Sequence, residues 1–134
     1  IANLLGGMLS LTDSTISGNT AQFGAGIDNR GGILNATACT LSGNFSSHPS
    51  VGAGGGVNNT YSNVRVGNRV FNLLDQGRAT LIDCTITGNT ATTKGGGIYN
   101  NGTASIQNTK VQANSAGLQG GGIFSLWMAS VSWA

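Results

Sequence analysis

One segment decides the fold of this chain: GRATLIDCTITGNTATTKGGGIYNN, residues 77–101. Its parts recur, with drift, along the sequence. A Thr-x-Ser/Thr-Gly-Asn motif appears three times, and a fourth, more divergent copy reads KVQAN. The final asparagines are spaced by 25, 45 and 25 residues, at Asn19, Asn44, Asn89 and Asn114. A constant spacing with one enlarged interval indicates a repeat protein in which one copy carries an insertion.

The composition of the repeat selects a β-solenoid. Each copy also contains a glycine motif (GAGI, GGGV, GGGI and GGGI) and a short alternating segment (GMLSL, GILNA, GRATL and GTASI). Glycine triplets cost about 1 kcal/mol per residue in a helix, which argues against helical repeats. Short alternating segments between glycines and asparagines predict three short strands per coil, stacked about 4.8 Å apart. The sequence therefore predicts an all-β fold, a parallel β-helix of about four coils of ~25 residues with one inserted arm, and the crossover rule makes it right-handed.

Alignment of the copies predicts which side chains point inward. Apolar residues recur at the same address in successive copies, as a dry core requires. Leu81 and Cys84 both fall on the inward side but differ in parity, so we expect a bend near Ile82–Asp83. Ser46 is the polar exception. The predicted inward columns are Ile16/Leu41/Ile86/Val111, Leu11/Ala36/Leu81/Ile106, Leu9/Leu34/Ala79/Ala104, Ile1/Ile27/Val57/Ile98/Ile123 and Ala21/Ser46/Ala91/Ala116.

The asparagines of the repeat form a column of their own. Asn19, Asn44, Asn89 and Asn114 each follow Gly or Ala at a place where the strand must turn. Asparagine tolerates a left-handed backbone, and its amide can bond the asparagine of the next coil. We expect a structural amide ladder at a corner, with sugar or ion binding as the lesser alternative. The glycine triplets predict tight turns that need positive φ or close backbone approach.

The domain organisation follows from the repeat. Residues 1–134 form one β-helix domain whose coils span about 1–27, 27–57, 57–98 and 98–123. The insertion is an arm at 59–76, and a C-terminal strand follows at 126–134. Because the sequence starts in the middle of a coil, we expect it to be a fragment of a longer chain.

The arm and the tail supply the candidate contact residues. In the arm, two alternating runs flank Gly67-Asn68, which predicts a β-hairpin. It serves either as a flap on the solenoid wall or as a contact surface for a partner. The tail places tryptophans at an exposed strand edge, which invites pairing. The candidate partner-contact residues are Tyr61, Arg65, Arg69, Phe71, Trp127 and Trp133.

Cys39 and Cys84 occupy the same address in adjacent coils. They are interpreted as two buried small side chains, and a disulfide between them is the alternative. Stacked Cβ atoms near 4.8 Å lie slightly too far apart for relaxed bridge geometry. His48, in a loop beside Pro49, has no motif partner and is expected to be solvated. The pattern predicts no cofactor and no metal site.

Composition and charge argue against several functions. Six basic and four acidic residues give a net charge of +2, which does not favour nucleic acid as a partner. No apolar run reaches the length of a membrane helix, so no membrane insertion is predicted. Asp13 and Asp83 share an address but lie two coils apart, about 10 Å, with Ala38 between them. No carboxylate pair suited to glycoside hydrolysis is therefore predicted, and the chain is not expected to be an enzyme.

TITGNTA, GGGIYNNGTASI and their sister copies resemble the right-handed β-helix repeats of bacterial surface and secreted proteins of the polymorphic outer-membrane-protein type. The resemblance covers the chain outside the arm and the last nine residues. It implies secretion or display on the cell surface, a longer parent chain, and an adhesive or structural role.

The sequence thus predicts an extracellular structural or adhesive module that assembles with itself or with other envelope proteins, with glycans as further candidate partners. One alternative is a polysaccharide-binding or polysaccharide-degrading β-helix whose active residues lie outside this segment. A second is an ice-binding face, because Thr15/Thr40/Thr85 and Ser17/Ser42/Thr87 form an outward ladder that Lys110 and Gln112 interrupt.

Overall fold

A computed structural model of the protein describes residues 1–50, 53–62, 64–66, 68–71, 76–126 and 130–134, with only the backbone described at 64–66 and 69–71. The described elements are β-strands. They form four parallel sheets and one antiparallel hairpin. No helix of the length and hydropathy that a membrane crossing requires occurs in this described part.

Each coil contributes one strand to each sheet, and the strands stack coil upon coil. The first sheet contains β1 (Ala2–Asn3), β5 (Ile27–Arg30), β9 (Val57–Thr60), β15 (Ile98–Asn100) and β19 (Ile123–Ser125). The second contains β2 (Met8–Thr12), β6 (Ile33–Thr37), β12 (Arg78–Ile82), β16 (Thr103–Gln107) and β20 (Ser130–Trp133). The third contains β3 (Thr15–Ser17), β7 (Thr40–Ser42), β13 (Thr85–Thr87) and β17 (Lys110–Gln112). The fourth contains β4 (Thr20–Ala21), β8 (Phe45–Ser46), β14 (Thr90–Ala91) and β18 (Ser115–Ala116).

The strand register confirms the predicted columns. In the third sheet Leu41 pairs with Ile16 on one side and Ile86 on the other, and Ile86 pairs with Val111. The large side chains in the middle of the columns are fully buried. Those at most 1% exposed are Ile27, Leu34, Leu41, Val57, Leu81, Ile86, Ile98 and Ile106. The fold is therefore a parallel β-helix with a dry core. Its right-handedness stays a prediction.

Most column members in the end coils are half-buried, and two members differ more clearly from the apolar, buried pattern. Ser46 is buried because its hydroxyl donates to the carbonyl of Gln22 at 2.7 Å. Ile1, predicted inward, is 52% exposed because it lies at the edge of the stack and has a neighbouring coil on one side only.

The bend predicted near Ile82–Asp83 is confirmed, because Asp83 has φ 53°. The equivalent residues Asp13, Ala38 and Asn108 also have positive φ. The next corner corrects an expectation. The left-handed residue there is not the asparagine but the residue before it: Gly18, Gly43, Gly88 and Ala113. The asparagine keeps an ordinary backbone, which leaves its amide free to point inward.

The glycine triplets fulfil both predicted roles. Gly95 has φ 69°, a conformation that strains residues with a Cβ. At Gly97, an added Cβ would lie 2.6 Å from the carbonyl oxygen of Gly122 in the next coil. Glycine is thus required at the third position because successive backbones approach too closely for a side chain.

The insertion contains the predicted hairpin. Strand β10 (Val64–Val66) pairs antiparallel with β11 (Arg69–Phe71), with Val66 opposite Arg69. Because β9 continues to Thr60, the first two residues assigned to the arm, Asn59 and Thr60, belong to the solenoid wall. The chain rejoins the solenoid at Gly77, whose N–H donates to the carbonyl of Thr60 at 2.9 Å.

Candidate functional site

The corner asparagines form the predicted ladder. Each Nδ2 donates to the Oδ1 of the next asparagine in chain order: Asn19 to Asn44 at 3.0 Å, Asn44 to Asn89 at 2.9 Å, and Asn89 to Asn114 at 3.0 Å. Each acceptor also receives the backbone N–H of the preceding asparagine. Asn44 and Asn89 are fully buried. Their bonding is structural and saturated, which leaves these two little capacity to hold a ligand.

A second ladder runs inside the first sheet, and the sequence reading did not identify it. The Nδ2 atoms of Asn3, Asn29 and Asn59 each donate to the asparagine Oδ1 of the next coil at 2.8 Å, and Asn100 Nδ2 donates to Ser125 Oγ at 3.3 Å. Asn29, Asn59 and Asn100 are fully buried. Each also donates to backbone carbonyls, such as Gly32 for Asn29. This ladder fixes the coil at the point where the first sheet turns into the second.

The neighbouring residues on the same strands form a different column on the outside. Asp28, Asn58, Tyr99 and Phe124 are in register on β5, β9, β15 and β19, and we call them the outer column. Phe23, Arg30, His48, Tyr61 and Lys94 adjoin it through the contacts described below, and together these nine residues are the outer face. This face is the candidate functional site because it brings together most of the described aromatic rings with three charged groups.

The first half of the outer column is a polar network. Arg30 pairs with Asp28, with 2.6 Å between Nη2 and Oδ2 and 2.8 Å from Nε to the same oxygen. Asn58 Nδ2 donates to the other carboxylate oxygen, Oδ1, at 2.7 Å. The Oδ1 of Asn58 is buried, and no donor among the described residues reaches it. A buried acceptor without a partner costs about 1–3 kcal/mol, so this atom is an unused binding capacity.

The second half is aromatic. The rings of Tyr99 and Phe124 stack with centroids 5.6 Å apart and planes 13° apart. The Lys94 ammonium lies 4.7 Å from the centre of the Phe124 ring, close enough for a cation–π interaction. Burial raises the pKa of Tyr99, and the nearby Tyr61 phenol raises this pKa further. Tyr61 lies at the base of the arm, directly after β9 and bridged to Gln76, and is near enough to Tyr99 for its phenol to act on that pKa.

At the other end, Phe23 connects the loops to the network. Its ring centroid lies 4.6 Å from that of His48, and the Arg30 guanidinium lies 5.4 Å from the centre of the ring. An open hollow of about 470 Å³ is lined here by Phe23, Asp28 and Arg30, together with Ile1 and Asn19 at the edge of the stack.

The outer face of the third sheet is chemically uniform by comparison. Thr15, Thr40 and Thr85 stack in register, as do Ser17, Ser42 and Thr87 two residues on. Lys110 and Gln112 continue these columns in the last coil. This face offers hydroxyls but no ring and, before Lys110, no charge.

One comparison with known proteins gives a match. Residues 83–101 match the family model of the Chlamydia polymorphic membrane protein repeat. The third coil therefore resembles a polymorphic membrane protein repeat. No curated protein and no solved structure matches the chain. The repeat begins at the left-handed Asp83 corner and ends after the glycine turn and β15, so it comprises one coil without its second-sheet strand. The match supports a surface or outer-membrane module in coarse terms.

The matched segment contains both ladder residues of its coil, Asn89 and Asn100, and the outer-column residue Tyr99. It therefore includes structural and candidate contact positions side by side. The predicted contact residues are distributed differently. Tyr61 is 44% exposed and joins the outer face, whereas Trp133 is 59% exposed on β20, in the second sheet. Trp127 and the side chains of Arg65, Arg69 and Phe71 lie outside the described residues.

Cys39 and Cys84 are buried free thiols in this structure, so the disulfide alternative is not formed. Their Sγ atoms contact the carbonyl oxygens of Thr37 and Ile82, both at 3.2 Å. Burial raises the pKa of Cys84, which keeps it a thiol at neutral pH. The pair fills the corner, as in the interpretation of two small buried side chains.

Acidic side chains are dispersed in the described part of the chain. Asp13 and Asp83 hold equivalent corners with Ala38 in the coil between them. Asp83 accepts from Asn108 Nδ2 at 2.5 Å, and Asp28 is paired with Arg30. Within the described residues, no three potential metal-ligating side chains cluster.

Proposed function

We propose that this chain is a structural and adhesive module of the cell surface, a rigid solenoid that presents one contact face and performs no catalysis by this segment. The dispersed acids support the non-catalytic part, because hydrolytic pairs require two carboxylates within about 5–9.5 Å. The resemblance of one coil to a polymorphic membrane protein repeat supports the location.

The observation that carries the proposal is the segregation of chemistry on the surface. Aromatic and charged side chains gather on the outer face, whereas the third sheet displays threonine and serine. Aromatic and arginine side chains dominate the energetics of contact surfaces. The ladder of Asn3, Asn29, Asn59 and Asn100 holds the strands beneath this face, so the contact groups sit on a preorganised support.

Bead adhesion tests this function. Beads coated with the chain are applied to cultured cell monolayers, and the retained fraction is counted. The triple variant Tyr61→Ser, Tyr99→Ser and Phe124→Ser should lower retention by about tenfold, because aromatic anchors of this kind each contribute more than 1 kcal/mol. The matched control, Thr40→Ser with Thr85→Ser, changes the third sheet and should leave retention unchanged. Equal loss in both variants, or no retention of the parent, would contradict the proposal.

Self-association is a second candidate function, favoured by the direction of the ladders. Every rung donates toward the later coil, so Asn3 and Asn19 present Oδ1 atoms to which no described donor is assigned, at the edge formed by β1 to β4. At the opposite edge, Leu118 is 70% exposed and Trp133 is 59% exposed. The end strands of each parallel sheet have a neighbouring strand on one side only, so a second copy can pair with them head to tail.

Sedimentation velocity over a range of concentrations tests self-association. The parent should form oligomers as concentration rises, and Leu118→Lys should shift the chain toward monomer, since lysine blocks edge contacts. Thr85→Lys serves as the control, because Lys110 already occupies the same column in the next coil. A parent chain that stays monomeric over the whole concentration range would contradict self-association.

A further inference from the structure

We propose that the outer face binds an oligosaccharide, with Tyr61 and Tyr99 contacting a sugar ring and the Oδ1 of Asn58 accepting one of its hydroxyls. The proposal names the ligand class of the contact face and therefore rests on the proposed function. Asn58 and Tyr99 pair in register on β9 and β15, and Tyr61, bridged to Gln76 directly after β9, is near enough to Tyr99 to act on the pKa of its phenol.

The chemistry of the face matches that of a pyranose ring. Such a ring has C–H groups on its two faces and hydroxyls around its rim. Aromatic rings accept the C–H faces, while amide and carboxylate groups beside them bond the hydroxyls. Tyr61 is 44% exposed and Tyr99 is half-buried, so both rings are reachable from solvent. Asp28, Arg30 and Asn58 supply fixed polar groups on the adjoining rungs.

Asn58 is the most specific element of the site. Its Nδ2 donates to Asp28 Oδ1 at 2.7 Å, so the amide cannot turn over without losing that bond. The orientation leaves Oδ1 as an acceptor without a described donor. A sugar hydroxyl supplies the missing donor. Because Asn58 is only 2% exposed, the hydroxyl reaches it after neighbouring side chains of the face rearrange, which makes binding an induced fit.

The geometry favours a glycan over a peptide. Peptides commonly add a strand to an exposed sheet edge or lay an apolar helix into a groove. The middle strands beneath this face are already paired on both sides: β9 with β5 and β15, and β15 with β9 and β19. A saccharide needs no free backbone. Lying along the solenoid axis, it meets Asn58, Tyr99 and Phe124 in turn, one about every 4.8 Å.

The charge of the ligand distinguishes two classes of saccharide, acidic and neutral. Arg30 forms an ion pair with Asp28. Lys94 lies beside Phe124 and forms no ion pair with a carboxylate of the described residues. A saccharide with carboxylate or sulfate groups gains an ion pair with Lys94, and a neutral saccharide does not. Both classes share the ring and hydroxyl chemistry that the proposal requires.

The test measures binding of four probes to the full chain by calorimetry: cellohexaose and chitohexaose as neutral probes, and a heparin hexasaccharide and sialyllactose as acidic ones. At least one probe should bind. Asn58→Leu, which keeps the size of the side chain but removes the acceptor, and Tyr99→Leu should each weaken that binding by about tenfold. Thr87→Val on the third sheet should leave it unchanged, and Lys94→Met should weaken only an acidic probe.

Thermal unfolding of each variant separates loss of the site from loss of the fold. If no probe binds while bead adhesion depends on the outer face, the ligand class is wrong and the contact face stands. If adhesion also fails, the proposed function falls with it. A probe that binds the parent, Asn58→Leu and Tyr99→Leu equally would place the saccharide elsewhere and overturn this site.

Discussion

Two adjacent asparagines, Asn58 and Asn59, show how differently the two sides of one strand are used. Asn59 points into the solenoid, where it accepts from Asn29 and donates to Asn100, both at 2.8 Å, and also donates to backbone carbonyls. Asn58 points outward, bonds one carboxylate oxygen of Asp28 and leaves its own Oδ1 without a described partner. The same side chain is saturated on one face and unsatisfied on the other.

The columns that contain these residues extend the comparison. The inner column repeats asparagine in four successive coils, because the amide of each coil bonds the amide of the next. The outer column changes from Asp28 to Asn58 to Tyr99 to Phe124. Repetition therefore marks the positions that stacking constrains, and variation marks the positions available for contacts.

The largest expected effect comes from replacing each asparagine of the pair by leucine. Asn59→Leu removes the ladder bonds to Asn29 and Asn100 and two further bonds from Asn59 to backbone carbonyls, so the free energy of unfolding should fall by about 3 kcal/mol. Asn58→Leu removes only one bond, to Asp28 Oδ1, together with an acceptor that has no described donor, so the loss should be smaller, about 1 kcal/mol. Urea denaturation of both variants measures the difference. Equal losses would mean that the inner ladder has no special role.

A smaller effect should separate the middle of the corner ladder from its edge. Asn89 is fully buried and bonded to coils on both sides, so Asn89→Ala should cost about 2 kcal/mol. Asn19 is exposed and has a described neighbour on one side only, so Asn19→Ala should cost less than about 1 kcal/mol. The midpoints of thermal unfolding give the ranking, and the reverse order would refute the ladder as the source of stability.

The smallest effect concerns Tyr99 and alkaline pH. Burial raises its pKa above the ordinary 10.0, so the unfolded chain releases this proton at lower pH than the folded chain. The free energy of unfolding should therefore fall as pH rises from about 10 through the folded pKa. Tyr99→Phe should flatten that decline. The difference between the two chains should be small, because Tyr99 is only half-buried. Denaturation at pH 8 and pH 11 compares the two chains, and identical pH slopes would contradict the pKa shift.

Much of the architecture follows from the sequence, because stacking makes like residues coincide. The Ile16/Leu41/Ile86/Val111 column, the corner ladder and the bend at Asp83 are all present as predicted. The hairpin around Gly67-Asn68 was likewise signalled by alternation on both sides of a turn pair, and its strands pair as expected.

The candidate contact face was harder to predict for a physical reason. The outer column has one position in each coil but a different kind of side chain every time: Asp28, Asn58, Tyr99 and Phe124. An alignment based on similarity therefore does not identify it. The inner asparagines were missed because a polar residue beside a glycine turn is ordinarily expected to face water. The signal was nevertheless present, since Asn29, Asn59 and Asn100 each stand two residues after the aliphatic residue of the glycine motif.

The junction at Thr60 and Gly77 has a consequence for how this protein can vary. The chain leaves the wall at Thr60 and returns where Gly77 N–H bonds the Thr60 carbonyl at 2.9 Å, while Gly31 N–H bonds that same oxygen from the preceding coil. Since the closure entropy of a loop rises only slowly with its length, excursions of other lengths and sequences can be exchanged at this point with little disturbance to the coils. The position is a natural graft point, suited to rapid diversification and to the display of foreign peptides.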